Sequence, residues 1–300
     1  MATSLPFRKA EQPFGLPFCK ELKNYFEHFF IPCEGEKASL EPPSSLSLSE
    51  IMTICVCFHL SGYRTFKWYY TKLIQKEYHK FFPCLVSYNR FVELMPYAAL
   101  PLSLFVQCIG FKTSCTGVSF VDSTTRDVCD SHRIQQHKVF AGIAKRGKSS
   151  TGWFYGFKLP LVINDRGEIL SFCLTPGNVD DRNRKVMSHL TKDLFGKLFA
   201  DKGYVSKKLF EDLLDQGVKL ITKQKKNAKN PGMLCFFDRL LLRKRAIIES
   251  VNDFLKNTCQ IEHSRHRSCC NFVVNLVAGL AAYSFLPKKP SISAENVAFA

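Results

Sequence analysis

The sequence predicts an α/β chain in which a mixed sheet flanked by helices follows a helical N-terminal part. Three features predict it. Apolar residues recur at helical spacing up to about residue 115, short apolar runs alternate with amphipathic segments beyond it, and turn formers sit at nearly every junction. The chain has 300 residues, 46% of them apolar and 23% charged, which suits a folded chain with a large core in one large or two smaller domains. Twenty-seven phenylalanines supply bulky groups to fill it.

Residues 1–45 mix Pro, Glu, Lys and Phe and read as an irregular N-terminal segment with one helix over 18–30, closed by a linker at Glu41-Pro-Pro-Ser-Ser. A helical part over 46–115 follows. Ser47 or Ser49 caps its first helix, with Glu50 near the positive end of the dipole and Gly62 as the stop. A second helix is expected over 65–81, and Ser87 opens a third toward Met95. Short helices, tight turns and the cations Arg64, Lys67, Lys72 and Arg90 permit a helix-turn-helix DNA reader, and equally a plain helical packing domain.

From Gly117 the pattern changes. A strand over 118–122 ends in Asp122, and strands over 153–163 and 168–174 flank the hairpin signal Asn164-Asp-Arg-Gly167. A helix over 179–194, a strand over 197–201 ending in Asp201, a helix over 206–216 stopped by Gly217, a strand over 218–222 and a long helix over 239–258 complete the order. That order suits a mixed sheet flanked by helices, as in the ribonuclease H-like fold, over 116–300.

The formal net charge is +16 at pH 7, which points to a polyanionic partner. Residues 1–115 carry a net +3 and residues 116–300 a net +13, so the basic surface belongs to the part that carries the acids rather than to a detached tail. Thirteen cysteines, an odd number without scaffold density, suit reduced thiols in a cytoplasm. No signal pattern is seen at the N-terminus, and the apolar stretch 272–286 is too short to span a bilayer and reads as a core helix. Cys259, His263, His266 and Cys269, with Cys129 and His132 as a second fragment, are the best candidates for zinc, at spacings that match no standard pattern.

Two acids that close apolar strands, Asp122 and Asp201, acquire meaning together. If their strands are parallel neighbours, both carboxylates project at the carboxyl edge of the sheet, where open sheets build sites. Glu249, inside an amphipathic helix, would complete a ring of three carboxylates. Such a ring repels itself, and two Mg²⁺ or Mn²⁺ ions would relieve the repulsion and serve an in-line phosphodiester displacement. On the helical wheel Arg245, Glu249, Asn252 and Lys256 share one face, with Ile247, Val251, Phe254 and Leu255 turned to the core. An ordinary solvent-facing Arg–Glu pair has the same spacing. What distinguishes this one is its surroundings: from Lys219 to Arg245 there are nine cations and one anion, Asp238.

On these residues the chain from Phe120 to Pro290 resembles the DDE transposases of bacterial insertion sequences, closest to insertion-sequence family nine-eight-two. The resemblance lies in Phe120-Val-Asp-Ser-Thr124, Arg133 to Lys138, Arg146-Gly-Lys-Ser-Ser150, Gly152-Trp-Phe-Tyr-Gly-Phe-Lys158, Leu174-Thr-Pro-Gly-Asn-Val-Asp180, Phe199-Ala-Asp-Lys-Gly-Tyr204, Arg243 to Asp253 and Glu262 to Ser268. It implies that Asp122, Asp201 and Glu249 are the catalytic, metal-holding acids. A signature of a larger group of such enzymes is matched by Arg245, Glu249 and Lys256 but has Leu242 in place of its Tyr. Pro160 stands where the family usually has His and where a strand would lose an N–H donor, so a distorted hairpin beside the site is expected.

The implied function is a transposase that binds the terminal inverted repeats of its element, cuts phosphodiester bonds at the ends and joins the freed 3'-hydroxyls to target DNA. It would act as a homo-oligomer, with no membrane partner, in the nucleoid. Arg245, Lys256, Lys202, Arg146 and Lys148 are the phosphate-contact candidates, with Lys223, Lys225 and Lys226 weaker ones. Tyr204 or Trp153 would stack on an exposed base, with core packing at least as natural for Trp153. The alternatives are a metal-dependent nuclease without strand transfer, a catalytically impaired DNA-binding remnant, and a zinc-dependent regulator.

Overall fold

The computed structural model describes residues 44–112, 115–149, 152–223, 235–262 and 266–292. The expected helix over 18–30, the rest of the N-terminal segment to residue 43, and Lys225, Lys226 and His263 lie outside them. The chain forms two compact units, one of 1–103 with 258–266 and 270–282, the other of 104–257 with 267–269 and 283–300. Grouping of the late segments 258–266 and 270–282 with the N-terminal unit is a long-range effect that no local periodicity predicts.

In the first unit, helix α1 (Leu48–Leu60) begins at a complete capping box. The Ser47 hydroxyl accepts the Glu50 N–H and the Glu50 carboxylate accepts the Ser47 N–H, so two orphan donors are satisfied reciprocally. Gly62 follows at φ +72°, where a side chain would be strained. The helix expected over 65–81 is broken instead. Helix α2 (Phe66–Tyr69) widens into a π-turn at Tyr70–Ile74, and a separate 3₁₀ turn covers His79–Phe81. Consecutive Tyr69 and Tyr70 are both fully buried, with hydroxyls donating to the carbonyls of Ile54 and Val86, and the widened turn admits both rings to the core. Ser87 caps α3 (Tyr88–Leu94) as expected, and a 3₁₀ turn at Met95–Ala98 leads into α4 (Ala99–Lys112). The run Tyr88–Ile109 is long and apolar enough by composition to cross a membrane. Within the first unit it places Phe91, Leu94, Met95, Ala98 and Leu102 in the core.

Among the described residues the second unit holds one seven-stranded mixed sheet. Strand β1 (Val118–Cys129) is central, β2 (Lys145–Ser149) and β3 (Gly152–Asn164) lie to one side, and β6 (Gly196–Ala200) and β7 (Val218–Thr222) to the other. Strand β3 is antiparallel to β1, whereas β6 and β7 run parallel to it. The short strands β4 (Ile169–Phe172) and β5 (Thr175–Pro176) share the other edge of β3 with β2. Helix α5 (Arg184–Thr191), capped by Asn183, is shorter than the expected 179–194, and α6 (Lys207–Asp215) is capped by Ser206. Their apolar faces, with Met187, Leu190, Leu209 and Leu213, join Val121, Val162, Leu198 and Leu220 in one core cluster.

Three helices close the order. The long helix expected over 239–258 is two helices, α7 (Phe236–Lys244) and α8 (Ala246–Asn257), parted at Arg245. Helix α7 packs on β6 and β7, where buried Asp238 accepts from Lys197 at 2.6 Å, and α8 packs on β1. Helix α9 (Cys269–Ser284) is the apolar helix expected near 272–286. Residues 99–112 and 145–149 are elements that the sequence pattern did not separate, the second because Lys-Arg-Gly-Lys-Ser carries no apolar alternation and becomes a strand only by pairing with β3.

Pro160 does not interrupt the ladder between β1 and β3. It stands opposite Ser123, and the Cys173 N–H donates to its carbonyl from the β4 side. In an antiparallel strand the N and the C=O of one residue face the same neighbour, so the missing N–H of Pro160 also faces β4 and not β1. The pairing there stops at Leu161 with Phe172 and resumes at Lys158 with Thr175. The β1–β3 register runs unshifted through Pro160 because the proline falls in the gap between two edge strands, and the irregularity of the hairpin lies on its β4 side, where the register shifts between Val162 and Ile163. Replacing it by Val should change unfolding free energy by less than about 1 kcal/mol. Urea denaturation of Pro160→Val checks this, and a loss of several kcal/mol would show that the ring supports the hairpin in another way.

Candidate active site

Strand β1 pairs with β6 at Val118–Lys197, Ser119–Leu198 and Phe120–Phe199, and there the pairing ends. Continuing the register by two residues sets Asp122 beside Asp201. The two strands are therefore parallel neighbours, as the acids required. Asp122 is not the end of its strand, however, since β1 runs on to Cys129 while paired with β3. Asp201 does follow its strand directly and starts a 3₁₀ turn at Lys202–Tyr204. Alternation along β1 turns Val121 to the core cluster and leaves Phe120 and Asp122 on the face covered by α8.

Helix α8 supplies the third acid and two organising groups. The Asn252 side-chain amide donates to an Asp122 carboxylate oxygen at 3.2 Å. Arg245, at the break between α7 and α8, donates to Glu249 at 2.8 Å and approaches Asp201 to 4.0 Å. Its side chain is 16% exposed, whereas those of Asp201 and Glu249 are more than half exposed. Burial holds the Asp122 carboxyl above the usual carboxylate range, at about 6. The Ser123 N–H and Arg245 oppose the rise, and Glu249 and Asp201 add to it. Tyr204, the last residue of that turn, is buried with no hydrogen-bond partner for its hydroxyl, and burial pushes its proton affinity well up.

The donor set fits a hard divalent ion in kind. It consists of three carboxylates with an amide orienting one of them, and a dication would offset the cost of charging the buried Asp122. Among the described residues no group of three His, Cys, Asp or Glu side chains stands close enough to hold a metal ion, and Arg245 carries the positive charge between Glu249 and Asp201 instead. Of the residues named for zinc, Cys259 is fully buried with its thiol pushed up to about 12 and its carbonyl accepting from His59 at 2.5 Å, and the His266 ring meets the edge of Phe272.

Of the phosphate-contact candidates, Arg245 is drawn into the carboxylates, and Lys202 is exposed beside Asp201. Lys256 is half-buried on α8, four residues after Asn252. Arg146 and Lys148 are exposed on β2, away from the helix that bears Glu249. Of the two aromatic candidates, Tyr204 is packed in the core at 3% exposure, and Trp153, for which core packing was the alternative, is 68% exposed. Periodicity places Asn252 on the helix face that carries Glu249, but its bond to Asp122 requires the packing of α8 on β1.

The family described as Transposase DDE domain matches residues 112–269, more than half of the chain, and the protein belongs to that family of transposases. Among solved structures the chain is similar to a cryo-EM structure of a piggyBac transposase synaptic complex with hairpin DNA. The identity is 9%, the match covers 91% of this chain and 73% of that one, and the TM-score is 0.45. The chain matches no curated protein.

An Asp122 held neutral in the folded state and ionised in the unfolded one lowers stability as pH rises from the unfolded value of 3.8 through about 6. Asp122→Asn should therefore be more stable than the parent at about pH 8, by roughly 1–3 kcal/mol, with the difference vanishing below about pH 4. Urea unfolding of both proteins at the two pH values checks this. An equal difference at both would remove the carboxyl's titration as the cause.

Proposed function

We propose that the chain is the transposase of a bacterial insertion sequence, of the kind grouped as family nine-eight-two, acting on double-stranded DNA through a ribonuclease H-like sheet. It binds the terminal inverted repeats, hydrolyses phosphodiester bonds at the element ends and transfers the 3'-hydroxyls to target DNA. The observation that carries this reading is the convergence of Asp122 and Asp201, on adjacent parallel strands, with Glu249 on the helix whose Asn252 binds Asp122. Membership of the transposase family supports it.

In this reading Asp122, Asp201 and Glu249 hold two Mg²⁺ or Mn²⁺ ions. When bound, such ions activate a water or 3'-hydroxyl and stabilise the leaving oxygen of an in-line displacement. The protein's own part is positional. Asn252 fixes the Asp122 carboxylate through its amide. Arg245 compensates Glu249 and Asp201 before the ions and DNA arrive, then passes to a phosphate oxygen, for which its fork of donors is suited. Lys202 and Lys256 neutralise phosphates on either side, and the net +13 of residues 116–300 draws the duplex to this unit. Two element ends must meet for joining, so the working form is a homo-oligomer, and its place is the nucleoid.

Labelled element ends incubated with Mg²⁺ should yield both nicked and joined products, and Glu249→Gln should abolish both while binding the same DNA within about threefold. Free 3' ends without joined product would identify a nuclease instead, and cleavage by the variant would remove Glu249 from the site. Independently of turnover, Mn²⁺ should raise the melting temperature of the parent and not of Glu249→Gln, since only a ligand held by the native site stabilises it. An equal rise in both would place the ion elsewhere.

A further inference from the structure

Strand β7 ends the sheet on one side, and among the described residues no strand pairs with its outer edge. One bond fixes which backbone groups lie there. The Gly196 N–H of β6 donates to the Gly217 carbonyl at 3.3 Å, and the direction of N–H and C=O alternates residue by residue along a strand. Lys219 and Ile221 therefore turn their backbone groups to β6, while Val218, Leu220 and Thr222 turn theirs outward. The result is an open row of donors and acceptors centred on Leu220.

Apolar side chains flank this edge on both faces of the sheet. Helix α6 packs on β7 with Leu209 and Leu213 in the core cluster, and its Asp212 accepts from Arg184 of α5 at 2.6 Å. Helix α5 lies toward β4, on the inner side of α6. At about 100° per residue Phe210 and Leu214 fall on the opposite flank of α6, the one that borders the open edge, and they are 39% and 52% exposed. On the other face α7 packs on β6 and β7 and begins with exposed Phe236 and Phe237. Edges that stay single are commonly blunted by proline, a bulge or charge, and Val218–Thr222 carries only Lys219 of these.

The edge is complementary to itself. Set antiparallel to a second copy about a dyad at Leu220, it pairs Leu220 with the partner's Leu220 and Val218 with the partner's Thr222. Because these residues all face outward, each pair can exchange both of its N–H···O=C bonds. Lys219 then opposes the partner's Ile221, so no like charges meet across the ladder. The same dyad sets Phe210 and Leu214 against the partner's Leu214 and Phe210. We propose that two copies of this chain join through β7 into one continuous sheet, with the α6 helices packed across the dyad. This names the contact of the homo-oligomer in the reading above, on which it rests only for the need of two copies. The two sets of acids lie on the far side of β6 and face opposite ends of the joined sheet.

Sedimentation equilibrium of the full chain, without DNA or divalent metal, should show the mass rising from one chain to two with concentration. Phe210→Lys with Leu214→Lys, and separately Phe210→Glu with Leu214→Glu, put like charges across the dyad at exposed positions. Each variant should weaken association roughly tenfold or more. Mixed in equal amounts, the two should associate with each other to within about threefold of the parent, since a dyad contact sets Lys against Glu on both sides. Hydrogen exchange reads the strand itself. The Leu220 and Thr222 N–H groups should be protected in the dimer and open in either variant alone, with those of Lys219 and Ile221 protected throughout as the mark of an intact fold. A parent that stays monomeric, a dimer that survives in both variants, a mixture that does not associate, or a Leu220 N–H that exchanges freely in the dimer overturns this contact. None of these measurements uses DNA, so they leave the transposase reading to the labelled-end assay, and a dimer that neither cuts nor joins would remove that reading alone.

Discussion

The parallel pairing of β1 with β6 lasts only three residues, and the candidate site depends on where it stops. Up to Phe120 and Phe199 the strands are tied by backbone hydrogen bonds, and those two rings stack at 5.5 Å beneath the site. Beyond them β6 turns away and β1 continues with β3 as its partner. Asp122 and Asp201 stand at that division, near one another by register and yet on backbones that have begun to part. Asp122, which feels the charges of both Asp201 and Glu249, needs a counter-charge. Burial at Asp122 makes the need greater, and the structure answers it with Arg245 and with the Asn252 amide.

The break at Arg245 has the same origin. A continuous helix over 236–257 would hold its side chains on one straight face, whereas the helix must pack on β6 and β7 with its first half and on β1 with its second. Parting it at Arg245 lets α7 bury Asp238 against Lys197 while α8 turns Asn252 to Asp122. The half-buried guanidinium then lies within reach of two acids from two elements. Stability and chemistry pull in opposite directions here, because the carboxyl that costs most in the folded state is the one a dication would use.

A second division of labour runs along β3. Its inner edge is paired with β1 over most of its length, and its outer edge is shared by β4, β5 and β2 in turn. Pro160 lies at the gap between β4 and β5, where no donor is needed. The last of these partners, β2, is almost wholly polar, and its pairing presents cations to solvent rather than to the core.

Local chemistry by itself determined a cap at Ser47 or Ser49, the helix starts at Ser87 and Ser206, the hairpin at Asn164–Gly167, the strands that lead to Asp122 and Asp201, and the face of the helix that carries Glu249. Each follows from turn residues or from a period of two or 3.6 within a few residues. Tertiary structure alone decided what depends on partners distant in sequence. It made Lys145–Ser149 a strand, extended β1 past Asp122, parted the helix at Arg245, joined Asn252 to Asp122, and chose between the two aromatics by burying Tyr204 and exposing Trp153. Burial and pairing are properties of what lies across the fold, and a residue's own neighbours along the chain do not contain them.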